Sequence, residues 1–287
     1  MAKHPTNWRG TNRLLKQRVI TALFMVLAFL GVLFLTPWYV FAVVLAVVFS
    51  IGAWEWSNLA GLRSNISRFT FVVVLIAVTA LLGVWSRWFV SEAAVQSILY
   101  VACIWWALAF LWVQSFPASA VLWSAKVIRL LMGALVLIPA WAGAVFLRNQ
   151  DSGAQLVLLC MLVVASADIG AYFSGRQFGK RKLAPAVSPG KSWEGVAGGM
   201  LLSLAVALGF NAFYGSSGWQ LVLAIVLPAA MMSVVGDLLE SMLKRVRGIK
   251  DSGDILPGHG GVLDRIDGVT AAVPFFSLSV LMLNWSL

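Results

Sequence analysis

The sequence is poor in charged residues. Only 11% of its 287 residues are Asp, Glu, Lys or Arg, and 61% are hydrophobic, which gives a mean hydropathy of +0.90. Soluble globular proteins contain about 25% charged and about 45–50% apolar residues. Because so few charges cannot cover a surface exposed to water, the composition excludes an ordinary soluble domain and predicts an integral membrane protein.

Cysteine is almost absent. The chain has two cysteines, Cys103 and Cys160, which lie inside apolar stretches and form no CxxC pair. A disulfide framework and a cysteine-based zinc site therefore have no support. No small-x-small cleavage site follows the first apolar run before Pro37, so a cleavable signal peptide is not indicated. No internal repeat is visible, and the inverted repeats of many transporters therefore have no support.

Long apolar runs are what the sequence has instead. A membrane-spanning helix needs roughly 17–25 apolar residues, and nine stretches of the chain qualify. We therefore predict an all-α integral membrane protein with about nine transmembrane helices, the first two joined by a tight hairpin at Thr36 and Pro37. The predicted spans are 19–35, 38–54, 69–85, 95–114, 127–147, 154–173, 195–213, 219–236 and 269–285.

The basic residues are distributed unevenly among the connecting segments. With the N-terminus placed in the cytoplasm, 19 of the 21 Lys and Arg residues lie on that side, and only Arg87 and Arg148 lie on the other. Cytoplasmic loops carry an excess of Lys and Arg, so we predict a cytoplasmic N-terminus and an odd number of spans. The same distribution accounts for the net charge of +10 without a nucleic-acid partner. Simple attraction of these loops to anionic lipid is the alternative that involves no site.

The carboxylates divide the chain near residue 150. Residues 1–150, with the basic tail and spans 1–5, contain only Glu55 and Glu92, both near span ends. We predict that this half is a membrane scaffold. Residues 151–287, with spans 6–9, contain the other nine carboxylates, and we predict that this half carries an active site on its cytoplasmic face.

Asp168 lies inside the predicted sixth span. A carboxylate within a membrane helix costs about 2.5–3.5 kcal/mol on insertion scales, and such residues usually face an interior or a wet cavity and have a function. The alternative is a structural role, either a hydrogen bond to a neighbouring helix or an ion pair with Arg176. The position favours a functional role.

A basic loop follows span 6, with Lys180, Arg181, Lys182 and Lys191. Within it, Ser188 and Pro189 are typical of the N-cap and the first position of a helix. A helix beginning there would place Lys191 beside free N–H groups that attract phosphate. The fragment Pro-Gly-Lys-Ser is not a P-loop, because position 185 is proline and no buried strand precedes it.

The densest group of charges lies between spans 8 and 9, where residues 237–268 include six carboxylates, five basic residues and a histidine. Asp237, Glu240, Ser241 and Lys244 are spaced i, i+3, i+4 and i+7, so they share one face of a helix leaving the membrane, beside Arg245. A solvated helix end would explain them without a function. Acids that directly follow an apolar run, however, need cations or a metal.

The same segment continues from Lys250 through a glycine-rich turn around His259 to Asp264 and Asp267. Glycine allows the backbone to turn tightly and to approach a ligand. N-capping of the last span would explain one of the two aspartates but not both together with Asp237. A few carboxylates without cysteine suit Mg²⁺, which keeps several waters and bridges to substrate phosphates.

These motifs closely resemble the signature of the phosphatidate cytidylyltransferases, also called CDP-diacylglycerol synthases. The matching residues are Ser241-x-x-Lys244-Arg245, Lys250-Asp251-Ser252-Gly253, Leu256-Pro257-Gly258-His259-Gly260-Gly261 and Asp264-Arg265-x-Asp267. Three upstream segments also resemble this family: Asp168-x-Gly-Ala-Tyr, Gly179-Lys-x-Lys182-Leu-Ala-Pro and Ser188-Pro-Gly-Lys191-Ser-Trp-Glu-Gly. The resemblance covers roughly residues 160–275.

The resemblance implies an enzyme that transfers the cytidylyl group of CTP to phosphatidic acid, giving CDP-diacylglycerol and pyrophosphate with Mg²⁺ as cofactor. It further implies a homodimer in a bacterial inner (plasma) membrane, with the active site facing the cytoplasm. We expect the metal ligands to be Asp237, Asp264 and Asp267. The expected catalytic residues are Asp237, Lys244, Arg245, Lys250, Asp251, His259, Asp264 and Asp267. The expected substrate-binding residues are Asp168, Lys182, Ser188, Lys191, Ser241, Gly260, Gly261 and Arg265.

Three other interpretations are open at this point. A CTP-dependent polyprenol kinase or an archaeol-type cytidylyltransferase would use the same nucleotide with a different lipid. An ion-coupled transporter would use Asp168 as a proton site, but it predicts functional charges near the midplane and on both sides of the membrane. A structural membrane protein with lipid-binding basic loops would leave the carboxylates unexplained.

Overall fold

The computed structural model describes residues 8–89, 91–214, 218–256, 258 and 260–285. Within these residues the chain forms nine α-helices, a 3₁₀ turn at Ala118–Val121 and one two-stranded antiparallel sheet. The helices are α1 (Trp8–Leu35), α2 (Trp38–Leu59), α3 (Asn65–Trp85), α4 (Glu92–Gln114), α5 (Lys126–Arg148), α6 (Gly153–Phe178), α7 (Trp193–Tyr214), α8 (Trp219–Arg247) and α9 (Leu263–Leu283). The strands are β1 (Lys182–Ala184) and β2 (Ser188–Ser192).

Eight of these helices, α2 to α9, are long and apolar enough to cross a membrane by length and composition. The apolar part of α1, Val19–Leu35, is shorter than the others. The predicted all-helical membrane architecture is therefore confirmed. The count of nine spans and the cytoplasmic N-terminus stay predictions.

Helix α8 extends well beyond the predicted span, which ends at residue 236, and continues to Arg247. The extension keeps an apolar face, since Leu238, Leu239, Met242 and Leu243 are all buried. The helix ends at Gly248, which adopts a left-handed conformation with φ of 71°, as glycine commonly does after a helix C-terminus. The acidic and basic residues of positions 237–247 are consequently held on a rigid helix rather than on a loop.

Glycines allow two pairs of helices to approach closely near the charged end of the molecule. Helix α6 packs against α7 where a Cβ at Gly170 would lie 2.6 Å from the carbonyl oxygen of Gly198. Helix α8 packs against α9 where a Cβ at Gly236 would collide with the carbonyl oxygen of Asp267. The second approach places Asp237, the next residue of α8, beside the acidic first turns of α9.

The two halves of the chain share one hydrophobic core. Its largest cluster of buried side chains includes Trp56 of α2 and Leu137 of α5 together with Leu238 of α8 and Leu263 of α9. Helix α9 accordingly contacts α4 and α5 as well as α8. The prediction that residues 1–150 form a scaffold and residues 151–287 carry the active site therefore concerns function rather than separate folding units, and it stays a prediction.

The segment from Ser188 to Ser192 is a strand, so the prediction that a helix begins at Ser188 and Pro189 was wrong. Strand β2 pairs with β1 in antiparallel register, with Lys182 opposite Ser192. Helix α7 begins instead at Trp193, where the hydroxyl of Ser192 accepts a hydrogen bond from the N–H of Gly195 at 3.1 Å. A hydroxyl accepting from the N–H three residues ahead is the bond expected of an N-cap, so the capping serine is the later of the two.

Candidate active site

An ion pair joins the β-hairpin to α8. The ammonium nitrogen of Lys191 lies 2.6 Å from Oδ2 of Asp237, and both side chains are partly exposed. The other oxygen of Asp237 accepts a hydrogen bond from the hydroxyl of Ser241, one turn further along α8, at 3.1 Å. The hairpin therefore brings Lys191 to a carboxylate of α8, and it does so from a strand rather than from the helix N-terminus that was predicted.

A second and more deeply buried centre surrounds Lys244. Its ammonium nitrogen lies 2.7 Å from Oδ1 of Asp264 and 3.2 Å from Oε1 of Glu240. The side chains of the two acids are only 6% and 2% exposed, so this single cation faces two carboxylates away from water. Oε2 of Glu240 has no hydrogen-bond partner among the described residues. The centre thus carries excess negative charge, which suits a further cation or a proton.

Asp264 also holds the glycine-rich loop in place. Its Oδ2 accepts hydrogen bonds from the backbone N–H of Ser252 at 3.0 Å and of Gly261 at 2.8 Å. Together with the bond from Lys244, these contacts fasten both ends of the loop to α8 and α9. The sequence left open that one of the aspartates has a structural role as a hydrogen-bond acceptor for backbone N–H groups at the start of the last span. Asp264 has this role.

Asp168 and Asp267 belong to the same charged neighbourhood. Asp168 is exposed in the C-terminal half of α6 and lies within electrostatic range of Lys191, Asp237 and Arg265. Asp267 lies within range of Asp237 and Lys191, and its Oδ1 accepts the N–H of Gly268 at 2.7 Å. Four elements, α6, β2, α8 and α9, therefore converge on one site.

The structural alternative for Asp168, an ion pair with Arg176, is not what the described residues show. The guanidinium of Arg176 donates to the hydroxyl of Tyr172 at 3.4 Å. The ion pairs recorded in the described part of the chain are those of Lys191 and Lys244. The charged groups near Asp168 are therefore those of the site, Lys191, Asp237 and Arg265.

A polar cavity of about 800 Å³ opens beside this site, within the range of about 300–1,000 Å³ that is usual for ligand pockets. Gly258 and Gly260 shape its wall with φ of 76° and 83°, conformations that L side chains rarely adopt. Its lining consists of Lys250, Asp251, Gly253, Asp254, Leu256, Gly258, Gly260 and Arg265. Four of the predicted site residues, Lys250, Asp251, Gly260 and Arg265, therefore line this cavity, and Gly261 is bound to Asp264 in the adjoining loop. The predicted residue His259 lies outside the described residues.

Three other predicted residues brace the site or lie at its edge. Arg245 donates from Nε to the carbonyl of Val187 at 3.0 Å and so holds the β-hairpin against α8. Lys182 and Ser188 lie in the hairpin itself. Within the described part of the chain, the carboxylates of the site form their ion pairs with Lys191 and Lys244 and not with Lys182.

Glu55 is a residue of this site that the sequence reasoning missed. It lies on α2, in the half predicted to be scaffold, and is 2% exposed. Its carboxylate accepts hydrogen bonds from the N–H of Val262 at 3.0 Å, the N–H of Leu263 at 2.7 Å and the hydroxyl of Ser252 at 3.3 Å. The two N–H groups belong to the start of α9, where helix N–H groups have no internal partner and favour a negative charge.

The signal for Glu55 was present in the sequence. It is a carboxylate next to an apolar run, the same argument that singled out Asp168, but 197 residues separate it from Ser252. Glu240 was placed on the charged face of α8 but was left out of the expected site residues. Its burial shows that it belongs to the Lys244 centre.

The predicted metal ligands differ in how well they suit a metal ion. Among the described residues, no group of three or more His, Cys, Asp or Glu side chains is arranged to hold one. Asp264 already accepts bonds from Lys244 and from two backbone N–H groups. Asp237 is partly exposed, and its contacts within the described residues come from the side chains of Lys191 and Ser241. Mg²⁺ usually takes one or two carboxylates together with waters and substrate phosphates, which fits Asp237 and Asp267.

A profile of the cytidylyltransferase family matches residues 16–283, almost the entire chain. The chain belongs to this family. A relative from Pseudomonas aeruginosa named phosphatidate cytidylyltransferase is 45% identical over 274 residues, covering 95% of this chain and 99% of its own length. A protein of the same name from Haemophilus influenzae is 45% identical over 283 residues, covering 92% of this chain and 98% of its own length. The family resemblance predicted from the motifs is confirmed, and it includes the first 150 residues as well.

Proposed function

We propose that this protein is an integral membrane enzyme that transfers the cytidylyl group of CTP to phosphatidic acid, forming CDP-diacylglycerol and pyrophosphate for phospholipid synthesis. The observation that carries the proposal is the convergence of α6, β2, α8 and α9 on one charged site beside a polar cavity of about 800 Å³. Relatives 45% identical along nearly their whole length bear the name of this activity.

The reaction brings two polyanions together. A phosphate oxygen of phosphatidic acid forms a bond to the α-phosphorus of CTP, and the bond between that phosphorus and the oxygen of the leaving pyrophosphate breaks. The charge on the leaving group requires cations. Lys250 and Arg265, which line the cavity, and Lys191, which forms an ion pair with Asp237, are the cations available for this purpose. The attacking phosphate dianion is already nucleophilic, so the step needs no side chain as general base.

We further propose that Asp237 and Asp267 hold Mg²⁺, with Asp168 as a nearby additional ligand or as a residue that positions the lipid headgroup. When bound, the ion supplies positive charge against the phosphates of CTP. Asp264, predicted as a third ligand, fits better as the residue that positions the glycine-rich loop, because its oxygens already accept bonds from the loop and from Lys244.

The proposal includes an orientation and an assembly. The concentration of 19 of 21 basic residues in alternate connecting segments supports a cytoplasmic active site in the inner (plasma) membrane of a bacterium. From the family resemblance we also propose that the protein forms a homodimer, surrounded by membrane lipids. Nucleic acid has no place in the proposal, since loop topology accounts for the net charge.

The first test follows radiolabelled CTP into chloroform-soluble product with purified protein in nanodiscs containing phosphatidic acid, with and without Mg²⁺. Labelled lipid that depends on Mg²⁺ and is lost in Asp237→Asn supports the reaction and the ligand together. Asp264→Asn should also lose activity. Full activity of Asp264→Asn at limiting Mg²⁺ would remove both roles considered for that residue.

The same assay separates the alternative lipids. Label at the α-phosphorus of CTP follows cytidylyl transfer, and label at the γ-phosphorus, in a parallel assay, follows a kinase. No α-label in lipid with phosphatidic acid, but α-label with an archaeol phosphate or γ-label with a polyprenol, would keep the nucleotide site and overturn the lipid assignment, and in the polyprenol case the reaction as well. No incorporation into any lipid, together with Asp168-dependent proton uptake into vesicles, would favour a transporter.

A further inference from the structure

An apolar groove runs along α2 and α3 towards the charged site. Two cavities of about 470 and 440 Å³ lie against these helices, and both include Val43, Ala46, Ser50 and Ile76 in their walls. Because they share these walls, the two cavities adjoin, and we call them together the α2–α3 groove. Helix α3 is mostly unburied within the molecule, so the groove is open to the membrane along its side.

Among the described residues of the glycine-rich loop, Ile255 is the one that lines the end of the groove. Ile255 lines the apolar cavity of about 470 Å³, whereas its neighbours Asp254 and Leu256 line the polar cavity of about 800 Å³. The side chain of Ile255 is 52% exposed. Without an apolar occupant of the groove, this large apolar side chain on a hydrophilic loop would face water. The loop therefore presents a polar wall to one cavity and an apolar wall to the other.

The part of the groove nearest the glycine-rich loop has the length of one membrane leaflet. From Val43 to Trp54 along α2 the rise is about 16 Å at 1.5 Å per residue. Half of a hydrocarbon core about 30 Å thick is about 15 Å. An acyl chain lying in this part of the groove would therefore reach from the level of the glycine-rich loop to the middle of the membrane.

A cation stands at the mouth of the groove. The guanidinium of Arg68 lies 4.0 Å from the ring centre of Trp54 and donates to the hydroxyl of Ser57 at 3.0 Å. It also donates to the carbonyl of Trp54 at 2.9 Å. These contacts fix Trp54 as a wall of the groove and place a positive charge where an anionic headgroup would leave the membrane.

We propose that the α2–α3 groove binds one fatty acyl chain of the lipid substrate, with Ile255 marking the point where the chain gives way to the headgroup in the polar cavity. This inference rests on the proposed function, because it assigns the occupant as the acyl chain of an anionic phospholipid. The lipid enters sideways from the membrane between α2 and α3. The nucleotide enters the polar cavity from water.

A direct test uses phosphatidic acid that carries a photoactivatable diazirine in one acyl chain. The wild-type protein is held in phosphatidylcholine nanodiscs, irradiated, and the adducts are mapped by mass spectrometry. We expect adducts within residues 43–54 and 69–76 that excess unlabelled phosphatidic acid suppresses and added phosphatidylcholine does not. Equal suppression by both lipids would show an ordinary boundary-lipid site and overturn the proposal, as would adducts confined to other helices.

A kinetic test uses a matched pair of tryptophan substitutions. Val47 lines the groove and is 57% exposed, whereas Val74 lies outside both cavities at a similar exposure of 53%. Val47→Trp should lower kcat/KM for dioleoyl phosphatidic acid by about tenfold, the effect of a poorly matched apolar pocket. It should leave the KM for CTP and the activity with dihexanoyl phosphatidic acid unchanged. Val74→Trp should resemble wild type with both lipids.

The outcomes of the two tests separate the proposals. Equal losses for long- and short-chain substrates in Val47→Trp, or no loss for either, would overturn the assignment of the groove while the proposed reaction stands. A wild-type protein that turns over no phosphatidic acid would overturn the proposed function. The crosslinking result, which needs no turnover, would still decide whether the groove binds this lipid.

Discussion

Lys244 lies between the two buried carboxylates of the site, so its removal should affect stability as well as activity. Its ammonium group is the cation recorded between two nearly inaccessible carboxylates, Asp264 and Glu240. Lys250, six residues later, is exposed and lines the polar cavity. Two lysines of one signature therefore have different physical tasks.

Removing each lysine should have a different effect. Lys244→Met leaves two acids buried without their cation, which costs about 3–5 kcal/mol when a buried pair is broken, so the thermal unfolding temperature in detergent should fall together with activity. Lys250→Met should lose activity and keep the unfolding temperature of wild type. Thermal unfolding monitored by tryptophan fluorescence, beside the CTP incorporation assay, distinguishes them. Equal stability of the two variants would contradict the buried ion-pair assignment.

Glu55 is expected to act by positioning the glycine-rich loop. In Glu55→Ala, the N–H groups of Val262 and Leu263 lose their buried acceptor, at a cost of about 1–3 kcal/mol for each unsatisfied group. We expect faster amide hydrogen exchange in residues 251–263 and a lower kcat, while Glu55→Gln, which keeps one acceptor oxygen, should recover part of the activity. Glu92→Gln, an exposed acid in the first turn of α4, is the control. Unchanged hydrogen exchange in Glu55→Ala would contradict this role.

At the level of elements, the crossing of α8 and α9 sets the distance between the proposed metal ligands. A methyl group at Gly236 would collide with the backbone of Asp267, so Gly236→Ala should force the helices apart at a cost of about 1–3 kcal/mol. Activity should fall at low Mg²⁺ and recover in part at high Mg²⁺. Gly209→Ala on α7, where nothing lies within 4 Å of the new methyl group, should be as active as wild type. A Mg²⁺ dependence identical to wild type in Gly236→Ala would speak against the ligand pair.

The helices were predictable and the hairpin was not, for a physical reason. Apolar length alone determines where a membrane helix can lie. Helices α2 to α8 each contain a predicted span, and α9, which ends at Leu283, covers all but the last two residues of the span predicted at 269–285. The segment from Ser188 to Ser192 has no such constraint. Ser-Pro is typical of a helix start, but Ser192 is an equally good cap, and only the pairing of β2 with Lys182–Ala184 decides between them.

At the scale of the whole molecule, the topology can be tested by chemical labelling. The expected arrangement places position 250 in the cytoplasm and position 150, between α5 and α6, on the opposite side. Lys250→Cys and Gln150→Cys, each in a chain with Cys103 and Cys160 replaced by serine, should react with a membrane-impermeant maleimide from opposite sides of the membrane. Three helices, α6 to α8, lie between the two positions. Labelling of both positions from the same side would mean that these helices do not cross the membrane an odd number of times, which would contradict the predicted topology.

Much of the site followed from the sequence because its residues lie close together in the chain. Asp237, Lys244 and Asp264 sit within one short segment, and their spacing alone places the first two on one helix face. Glu55 could not be assigned in this way, since its partners come after six further helices. The partition of roles between Asp264 and the other aspartates likewise depends on backbone N–H groups, whose directions a sequence does not give.

The contact between Glu55 and the loop also limits how this protein can change over evolutionary time. A side chain at Gly253 or Gly261 would run into the Glu55 carboxylate, and a shorter residue at position 55 would leave the start of α9 without its acceptor. No one of the three positions can be replaced alone without loss. Positions 55, 253 and 261 should therefore vary together among relatives, as a linked set that spans both ends of the chain.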